Sequence, residues 1–323
     1  MTIHNAKPKI NLMLHVTECL PSGFHHLQSL ITFMGDGDQI KVQESDTFSL
    51  DINGPFGALL PIKDNLVLSA AEWIHGLYNS KKKAHITLTK NLPISSGIGG
   101  GSSDAATVIA ALIDMWELIL KDTDKKELIK KSGVLGADVP VCLAHHLLGK
   151  SYFWIDGSGK EGMPEPLWTE DPLAEYSILL VNPKIAVSTP DVFRLYDGVY
   201  DKAVAGPLLS SLDLTLSSSG LTLSSWDLFR GSKDSCNKCE NDNMDQESSL
   251  MDFLMHTNNS LTKPASELVP EIGKILDVMN SSDDCLLARM SGSGATCFGV
   301  YKNDQACTEA ALKMDSNWWV CKV

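Results

Sequence analysis

A glycine- and serine-rich stretch directly before a long apolar-periodic run is the feature that most constrains what this chain can fold into. Residues 95–103 read SSGIGGGSS, so four glycines and four serines fall within nine positions. Glycine loses more conformational freedom on folding than any other residue, and an ordered loop of this composition is therefore costly. We expect a ligand to approach the backbone closely enough here to offset that cost.

The segments on either side of this loop predict a strand before it and a helix after it. Residues 84–89, AHITLT, alternate between apolar and polar side chains as a strand does. From about 103 to 120 the apolar residues recur at helical spacing. A loop that enters a helix N-terminus presents backbone N–H groups without partners at the positive end of the helix dipole. This arrangement favours a phosphate site over a flexible connection or a tight helix–sheet contact, which are the alternatives.

Two familiar phosphate loops do not match the sequence. The dinucleotide-binding pattern requires a third glycine where Ser102 stands. The GKS at 149–151 ends like a P-loop, but Ala144 occupies the position of the first glycine and YFWI follows as a strand. The loop at 95–103 therefore belongs to neither class.

The other periodic segments interleave strands with helices and predict a mixed α/β protein. A chain of 323 residues is expected to hold about two domains, which we place at 1–165 and 166–323. A stretch rich in Ser, Asn and Asp at 206–249 has no period and reads as a polar insert in the second domain. Strands are predicted at 7–16, 39–43, 285–290, 295–301 and 318–323, and helices at 65–78, 124–131, 267–280 and 304–314.

Composition excludes several classes of protein. The chain is 43% hydrophobic and 21% charged, as in globular proteins, and no apolar run reaches the length that spans a bilayer. The N-terminus lacks the pattern of a signal or transit peptide, so a cytoplasmic location is expected. A net charge of −13 argues against nucleic acid as a partner, although small anionic substrates stay compatible with it.

The eight cysteines are irregularly spaced and predict neither a disulfide framework nor a metal site. Cys236 and Cys239 form a single C-x-x-C pair within the polar insert. A zinc site needs about four ligands, and no second pair is present. We therefore expect no protein-bound metal centre.

Several motifs together resemble the GHMP kinases, the superfamily of galactokinase, homoserine kinase, mevalonate kinase and phosphomevalonate kinase. The central one is LPISSGIGGGSSDAA at 92–106. The others, in order, are KINLMLHV at 9–16, GFHHLQSL at 23–30, LGADVPV at 135–141, NPKIAVSTPDVF at 182–193 and MSGSGATCFGVY at 290–301. The resemblance covers nearly the whole chain apart from the polar insert. The triple glycine followed by SSDAA is similar to the branch whose alcohol substrate carries a cytidine diphosphate group.

The resemblance implies a two-domain GHMP kinase fold that binds ATP and Mg²⁺. The reaction would move the γ-phosphate of ATP to the tertiary 2-hydroxyl of a methylerythritol bearing cytidine diphosphate, in the non-mevalonate route to isoprenoids. Mg²⁺ would be held through ATP, with Ser103 or Asp104 as candidates for contact, although the helix dipole explains an acid at 104 equally well. The ATP-binding residues so implied are Pro93, Ile94, Ser95, Ser96, Gly97, Ile98, Gly99, Gly100, Gly101, Ser102, Ser103 and Asn65.

By motif position, Lys9 matches the catalytic lysine of the family and Asp138 its catalytic aspartate. A carboxylate can accept the proton of an alcohol, and a nearby ammonium holds that carboxylate ionised and stabilises the developing alkoxide. Lys7 lies close enough in sequence to leave the choice of lysine open.

The resemblance also implies how the substrate is held. Phe24 and Phe193 match the aromatics that sandwich the cytosine ring, with His25 reading the base edge and with Asn11 and Thr189 as further contacts. Two alternatives are another GHMP kinase, of the homoserine or mevalonate type, and a non-catalytic ligand-binding protein on the same scaffold. The aromatic pair argues against the first alternative, and the retained lysine and aspartate argue against the second.

Overall fold

The computed structural model describes residues 2–158, 163–168, 170–206 and 250–323 of the chain. The polar insert expected at 206–249, with its Cys236–Cys239 pair, lies outside the described residues except for residue 206. The strands are β1 Ile3–Ala6, β2 Lys9–Cys19, β3 His25–Phe33, β4 Asp38–Ser45, β5 Ser49–Asn53, β6 Lys83–Thr89, β7 Tyr152–Ser158, β8 Glu165–Pro166, β9 Ser177–Asn182, β10 Cys285–Met290, β11 Cys297–Tyr301 and β12 Trp319–Lys322. The helices are α1 Leu66–Tyr78, α2 Gly100–Met115, α3 Asp122–Lys131, α4 Val139–Leu148, α5 Thr189–Leu195, α6 Leu250–Met255, α7 Thr262–Leu268, α8 Glu271–Asn280 and α9 Asp304–Leu312.

These strands form three four-stranded sheets. The first has the order β1-β4-β6-β5, with β5 and β6 parallel and joined through α1. The second, β2-β3-β7-β8, and the third, β10-β11-β9-β12, are antiparallel throughout. The mixed α/β class predicted from the sequence is therefore confirmed.

Three apolar cores hold the sheets and helices together. Side chains of α1, α2 and α4 share the first core with the first sheet. In β9, Ile178 and Leu180 face a core shared with Ile10 and Leu12 of β2, whereas Leu179 on the opposite face packs with α8 and α9. The period-2 alternation of β9 thus places the third sheet between the second sheet and the C-terminal helices. The predicted domain boundary at 165/166 falls within β8 and stays a prediction.

The sequence located most elements, and the differences have local causes. The helix expected over about 103–120 begins at Gly100 and ends at Met115, where Glu117 follows with a φ of 54°. A left-handed residue cannot continue a right-handed helix, which accounts for the early end. The single helix expected over 267–280 is instead two helices, because Pro270 caps the second of them. The elements not predicted are helices α4, α5 and α6 and strands β1, β3, β5 and β8.

No helix within the described ranges is both long and apolar enough to cross a bilayer. In the segments that are described, no cluster of three or more His, Cys, Asp or Glu side chains could hold a metal ion.

Candidate active site

The glycine-rich loop runs directly into the first turn of α2. Gly99 caps the helix with a φ of 63°, and the N–H of Ser103 donates to its carbonyl oxygen at 2.8 Å. The N–H groups of Gly100, Gly101 and Ser102 therefore lie in the first turn, where a helix offers them no acceptors. The helix begins three residues earlier than predicted, so two of the loop's glycines belong to the helix terminus itself. These donors and the helix dipole form a site suited to an anion.

The turn at 291–294 supports the loop from behind. Gly97 has a φ of 76°, and a Cβ placed there would lie 2.6 Å from the carbonyl oxygens of both Ser291 and Gly294. Only glycine permits this main-chain contact. The N–H of Thr296, just before β11, donates to the carbonyl oxygen of Ser96 at 3.0 Å, so a backbone hydrogen bond also holds the loop.

Lys9 lies between the loop and Asp138. Its Nζ donates to Asn11 Oδ1 at 2.9 Å and lies 3.2 Å from Asp138 Oδ2. The lysine is buried with its stem against Gly99, whereas the Asp138 side chain is 46% exposed at the start of α4. The buried ammonium contacts one side of the half-exposed carboxylate, whose other side stays open to an alcohol. The structure thus brings Lys9, rather than Lys7, to the aspartate.

A buried ionic cluster that was not predicted from the sequence lies beneath the loop. Lys90 Nζ donates to Asp38 Oδ2 at 2.5 Å and to Asp104 Oδ2 at 2.6 Å, and all three side chains are buried. Burial raises the pKa of Asp104, with Lys90 opposing the rise and Asp38 adding to it. Burial alone would lower the pKa of Lys90, but the two carboxylates raise it. A lysine directly before the loop was the one signal in the sequence that could have indicated the cluster.

The two candidates for Mg²⁺ contact have other partners. Asp104 is committed to Lys90, and the Ser103 hydroxyl donates to the carbonyl oxygen of Lys7 at 2.7 Å. Both residues are buried. Of the other loop residues implied to bind ATP, Ser95 is exposed, whereas Pro93, Ser96 and Ile98 are buried. The Ile98 side chain belongs to the core between the two antiparallel sheets. Buried loop residues can reach a nucleotide only through their backbone.

Asn65 has a structural role at the start of α1. Its Oδ1 accepts the N–H of Val67 at 3.0 Å, and its Nδ2 donates to the carbonyl oxygen of Pro61 at 3.0 Å. The side chain therefore caps the helix. Its part in ATP binding stays a prediction.

Two of the residues predicted for the base, His25 and Phe193, are in contact at α5. His25 stacks on Phe193 with ring centroids 5.0 Å apart, and Tyr196 approaches the same imidazole edge-on at 6.0 Å. Phe24, next to His25, is 51% exposed. Burial lowers the pKa of His25, which favours a neutral ring able both to donate and to accept.

Thr189, one turn before Phe193 on α5, connects this group to the phosphate side. Its hydroxyl shares a 2.7 Å hydrogen bond with the Ser293 hydroxyl in the turn that supports the loop. The predicted aromatic and phosphate regions are thus linked through a single helix. Ser293 belongs to the MSGSGATCFGVY motif at 290–301, but its pairing with Thr189 was not predicted.

Two protein-family models match the chain. GHMP kinases N terminal domain matches residues 65–146, and GHMP kinases C terminal matches residues 243–320. The chain is 36% identical to the 4-diphosphocytidyl-2-C-methyl-D-erythritol kinase of Agrobacterium fabrum, over 97% of this chain and 91% of that protein. It is 37% identical to the enzyme of the same name from Cereibacter sphaeroides, over 99% of this chain and 98% of that protein.

Solved structures of this fold resemble the chain over nearly its whole length. A crystal structure of 4-(cytidine 5'-diphospho)-2C-methyl-D-erythritol kinase has a TM-score of 0.69 at 24% identity and covers 99% of this chain and 98% of its own. The homoserine kinase of Cytophaga hutchinsonii has a TM-score of 0.63 at 14% identity, covering 99% and 93% respectively. At these identities the likeness shows the fold alone, which the two kinases share.

Proposed function

This chain belongs to the 4-diphosphocytidyl-2-C-methyl-D-erythritol kinases of the GHMP superfamily, and from that premise we propose how its own residues carry out the reaction. The reaction transfers the γ-phosphoryl group of ATP to the 2-hydroxyl of the methylerythritol part of the substrate. It is a phosphotransferase reaction with an alcohol as acceptor, in the non-mevalonate route to isoprenoids.

The position of Lys9 between Asp138 and the glycine-rich loop is the observation that carries this proposal. Asp138 accepts the proton of the substrate hydroxyl as the hydroxyl oxygen bonds to the γ-phosphorus. The bond from that phosphorus to the β,γ-bridging oxygen breaks, and ADP leaves. Lys9, 3.2 Å from Asp138, stabilises negative charge on the attacking oxygen. The first-turn N–H groups of α2 hold the phosphates in line, since phosphoryl transfer depends mainly on positioning and charge stabilisation.

The aromatic group around α5 is our proposed site for the cytosine ring. The ring would stack against Phe193 and Phe24, with His25 reading its edge. A flat apolar ring suits either face of a base. Asn11 and Thr189 would position the remainder of the substrate, because both lie beside residues that support the loop.

Mg²⁺ enters this proposal only with the nucleotide. The described side chains near the loop do not form a set of ligands for the ion, because Ser103 and Asp104 are buried and bonded elsewhere. When bound to ATP, the ion would neutralise charge on the phosphates. The cytoplasmic location and the exclusion of nucleic-acid and membrane partners stay predictions from composition.

A coupled assay of ADP release tests the proposal. The protein is supplied with Mg·ATP and, in parallel, with the cytidyl-diphospho-methylerythritol substrate, homoserine, mevalonate or galactose. We expect ADP release that depends on the first alcohol alone. Turnover only with homoserine or mevalonate would keep the fold and overturn the assignment of the aromatic group. ATP binding without turnover of any alcohol would indicate a ligand-binding protein.

A further inference from the structure

The buried Lys90 joins three separate segments of the chain directly beneath the glycine-rich loop. Lys90 follows β6, Asp38 begins β4, and Asp104 lies in the first turns of α2. The other oxygen of Asp38 accepts the backbone N–H groups of Asn91 and Leu92 at 2.6 and 2.8 Å. Asp38 therefore ties the segment after β6 to the start of β4, and Asp104 supplies the side-chain hydrogen bond that links Lys90 to α2.

The cluster lies within contact distance of the helix terminus that would bind phosphate. A Cβ placed at Gly100 would lie 3.2 Å from Lys90 Nζ and 3.8 Å from Asp38 Oδ2. Lys90 and Asp104 are both almost fully buried, so the ammonium and the carboxylate meet inside the protein. The Lys90–Asp104 hydrogen bond therefore ties the residue after β6 to the start of α2.

Burying one ammonium with two carboxylates adds little to the free energy of unfolding. The desolvation of buried charges commonly cancels their attraction, and an apolar replacement is often as stable. The buried Asp104 Oδ1 also has no hydrogen-bond partner among the described residues. An ionic cluster that gains so little stability from its burial points to a role in positioning the segments that it joins.

We propose that the hydrogen bond from Lys90 to Asp104 is a positioning device that sets the first turn of α2 for ATP. Lys90 and Asp104 are thus positioning residues, which act through the N–H groups of Gly100, Gly101 and Ser102 without contacting the nucleotide. The proposal rests on the proposed function, in which that turn binds the triphosphate.

Two substitutions of similar size at one position separate positioning from charge. Asp104→Asn keeps an oxygen that can accept the Lys90 hydrogen bond but removes the negative charge. Asp104→Leu removes both the acceptor and the charge. In either variant Lys90 and Asp38 still form a one-to-one ion pair, so no uncompensated charge is left in the core. Lys82→Met is the control, since it breaks an exposed ion pair with Glu44 near the same sheet.

The measurements are KM for ATP, KM for the cytidyl substrate, ADP affinity by calorimetry and the thermal midpoint. We expect Asp104→Leu to raise KM for ATP and weaken ADP binding by roughly tenfold, the value of one hydrogen bond to a charged group. KM for the cytidyl substrate should not change. Asp104→Asn and Lys82→Met should stay within about twofold of the natural protein on every readout, a difference of less than half a kcal/mol.

Three results would overturn the proposal. Equal KM values for ATP in the Leu and Asn variants, at values close to the natural protein, would leave the cluster a purely structural one. An equal loss in both would show that the charge of Asp104 matters, as contact with Mg²⁺ would require. A fall in thermal midpoint without any change in ADP affinity would also contradict it.

If Asp104→Leu does not fold, Asp104→Ala removes the same acceptor with a smaller side chain that favours helix. Unchanged ADP affinity in that variant would count against the proposal in the same way. The natural protein is assayed in parallel, so that failure of the positioning role can be distinguished from failure of the proposed reaction. Absence of turnover there would refute the reaction, whereas normal turnover with indifferent Asp104 variants refutes only the positioning role.

Discussion

Replacing Gly97 by alanine tests whether the glycine-rich loop depends on its contact with the turn at 291–294. The backbone at Gly97 is left-handed, which costs any residue with a Cβ about 1–2 kcal/mol. The new Cβ would also lie 2.6 Å from two main-chain oxygens, which cannot move aside as a flexible side chain can. The loop must therefore separate from the turn by most of an ångström. We expect a total loss of about 2–4 kcal/mol in the free energy of unfolding.

The measurement is urea unfolding, combined with KM for both substrates. Because the displaced segment leads into the first turn of α2, KM for ATP should rise several-fold more than KM for the cytidyl substrate. Gly76→Ala is the matched control. Gly76 lies inside α1 with open space around its Cα, so alanine there should stabilise by about 0.5–1 kcal/mol. A Gly97→Ala protein as stable as the natural one, with the same KM for ATP, would refute the steric argument.

Three other predictions concern the proposed catalytic pair, the proposed base site and pH. Asp138→Asn should lower kcat by roughly 10²–10⁴-fold while calorimetry finds ATP affinity nearly unchanged, and an unchanged kcat would remove Asp138 from its role. Phe193→Ala should raise KM for the cytidyl substrate by roughly 5- to 100-fold, since stacking on a base contributes about 1–3 kcal/mol, and an effect confined to ATP would contradict the stacking. Burial lowers the pKa of His146 to about 3, with smaller contributions from His145, His4 and Lys7. The unfolded chain therefore binds a proton that the folded chain does not, and stability should fall by up to about 1.4 kcal/mol per pH unit below about 6.5. His146→Gln, which can still bond the Thr107 hydroxyl, should reduce that slope in urea unfolding between pH 4.5 and 7, and an identical slope would contradict the assignment.

The order of strands and helices could be predicted because apolar periodicity reports which face of an element is buried. Strand β10 was located to the residue, and α1 began one residue from its predicted start. The start of α2 could not be predicted, because glycine is among the poorest helix formers and Gly100 and Gly101 read as loop. Tertiary contacts determine where α2 begins, because Lys90 bonds to Asp104 and Lys7 bonds to Ser103 in its first turns.

Residues of the candidate site could be predicted from the sequence where they occupy a fixed place in a family motif. Lys9 and Asp138 were chosen by their place in the motifs, and the fold brings them within 3.2 Å of each other. Asp38 and Lys90 were missed because a buried ion pair has no period and its members are 52 positions apart. The support that Gly97 receives from the turn at 291–294 depends on main-chain packing, which leaves no mark on sequence beyond the glycines.

The support of the loop by the far end of the chain also bears on when this protein becomes competent to bind nucleotide. The Ser291 hydroxyl reaches Gly97 across 194 positions and accepts from the backbone of Asn11 across 280. Contacts of such high sequence separation form late, since the closure of long loops must come first. During synthesis, the first part of the chain emerges long before residues 291–294 exist. Nucleotide binding should thus require residues 291–294, and a ribosome-bound precursor that lacks them should fail to retain ATP although Lys9, Asp138 and the glycine-rich loop have already been synthesised.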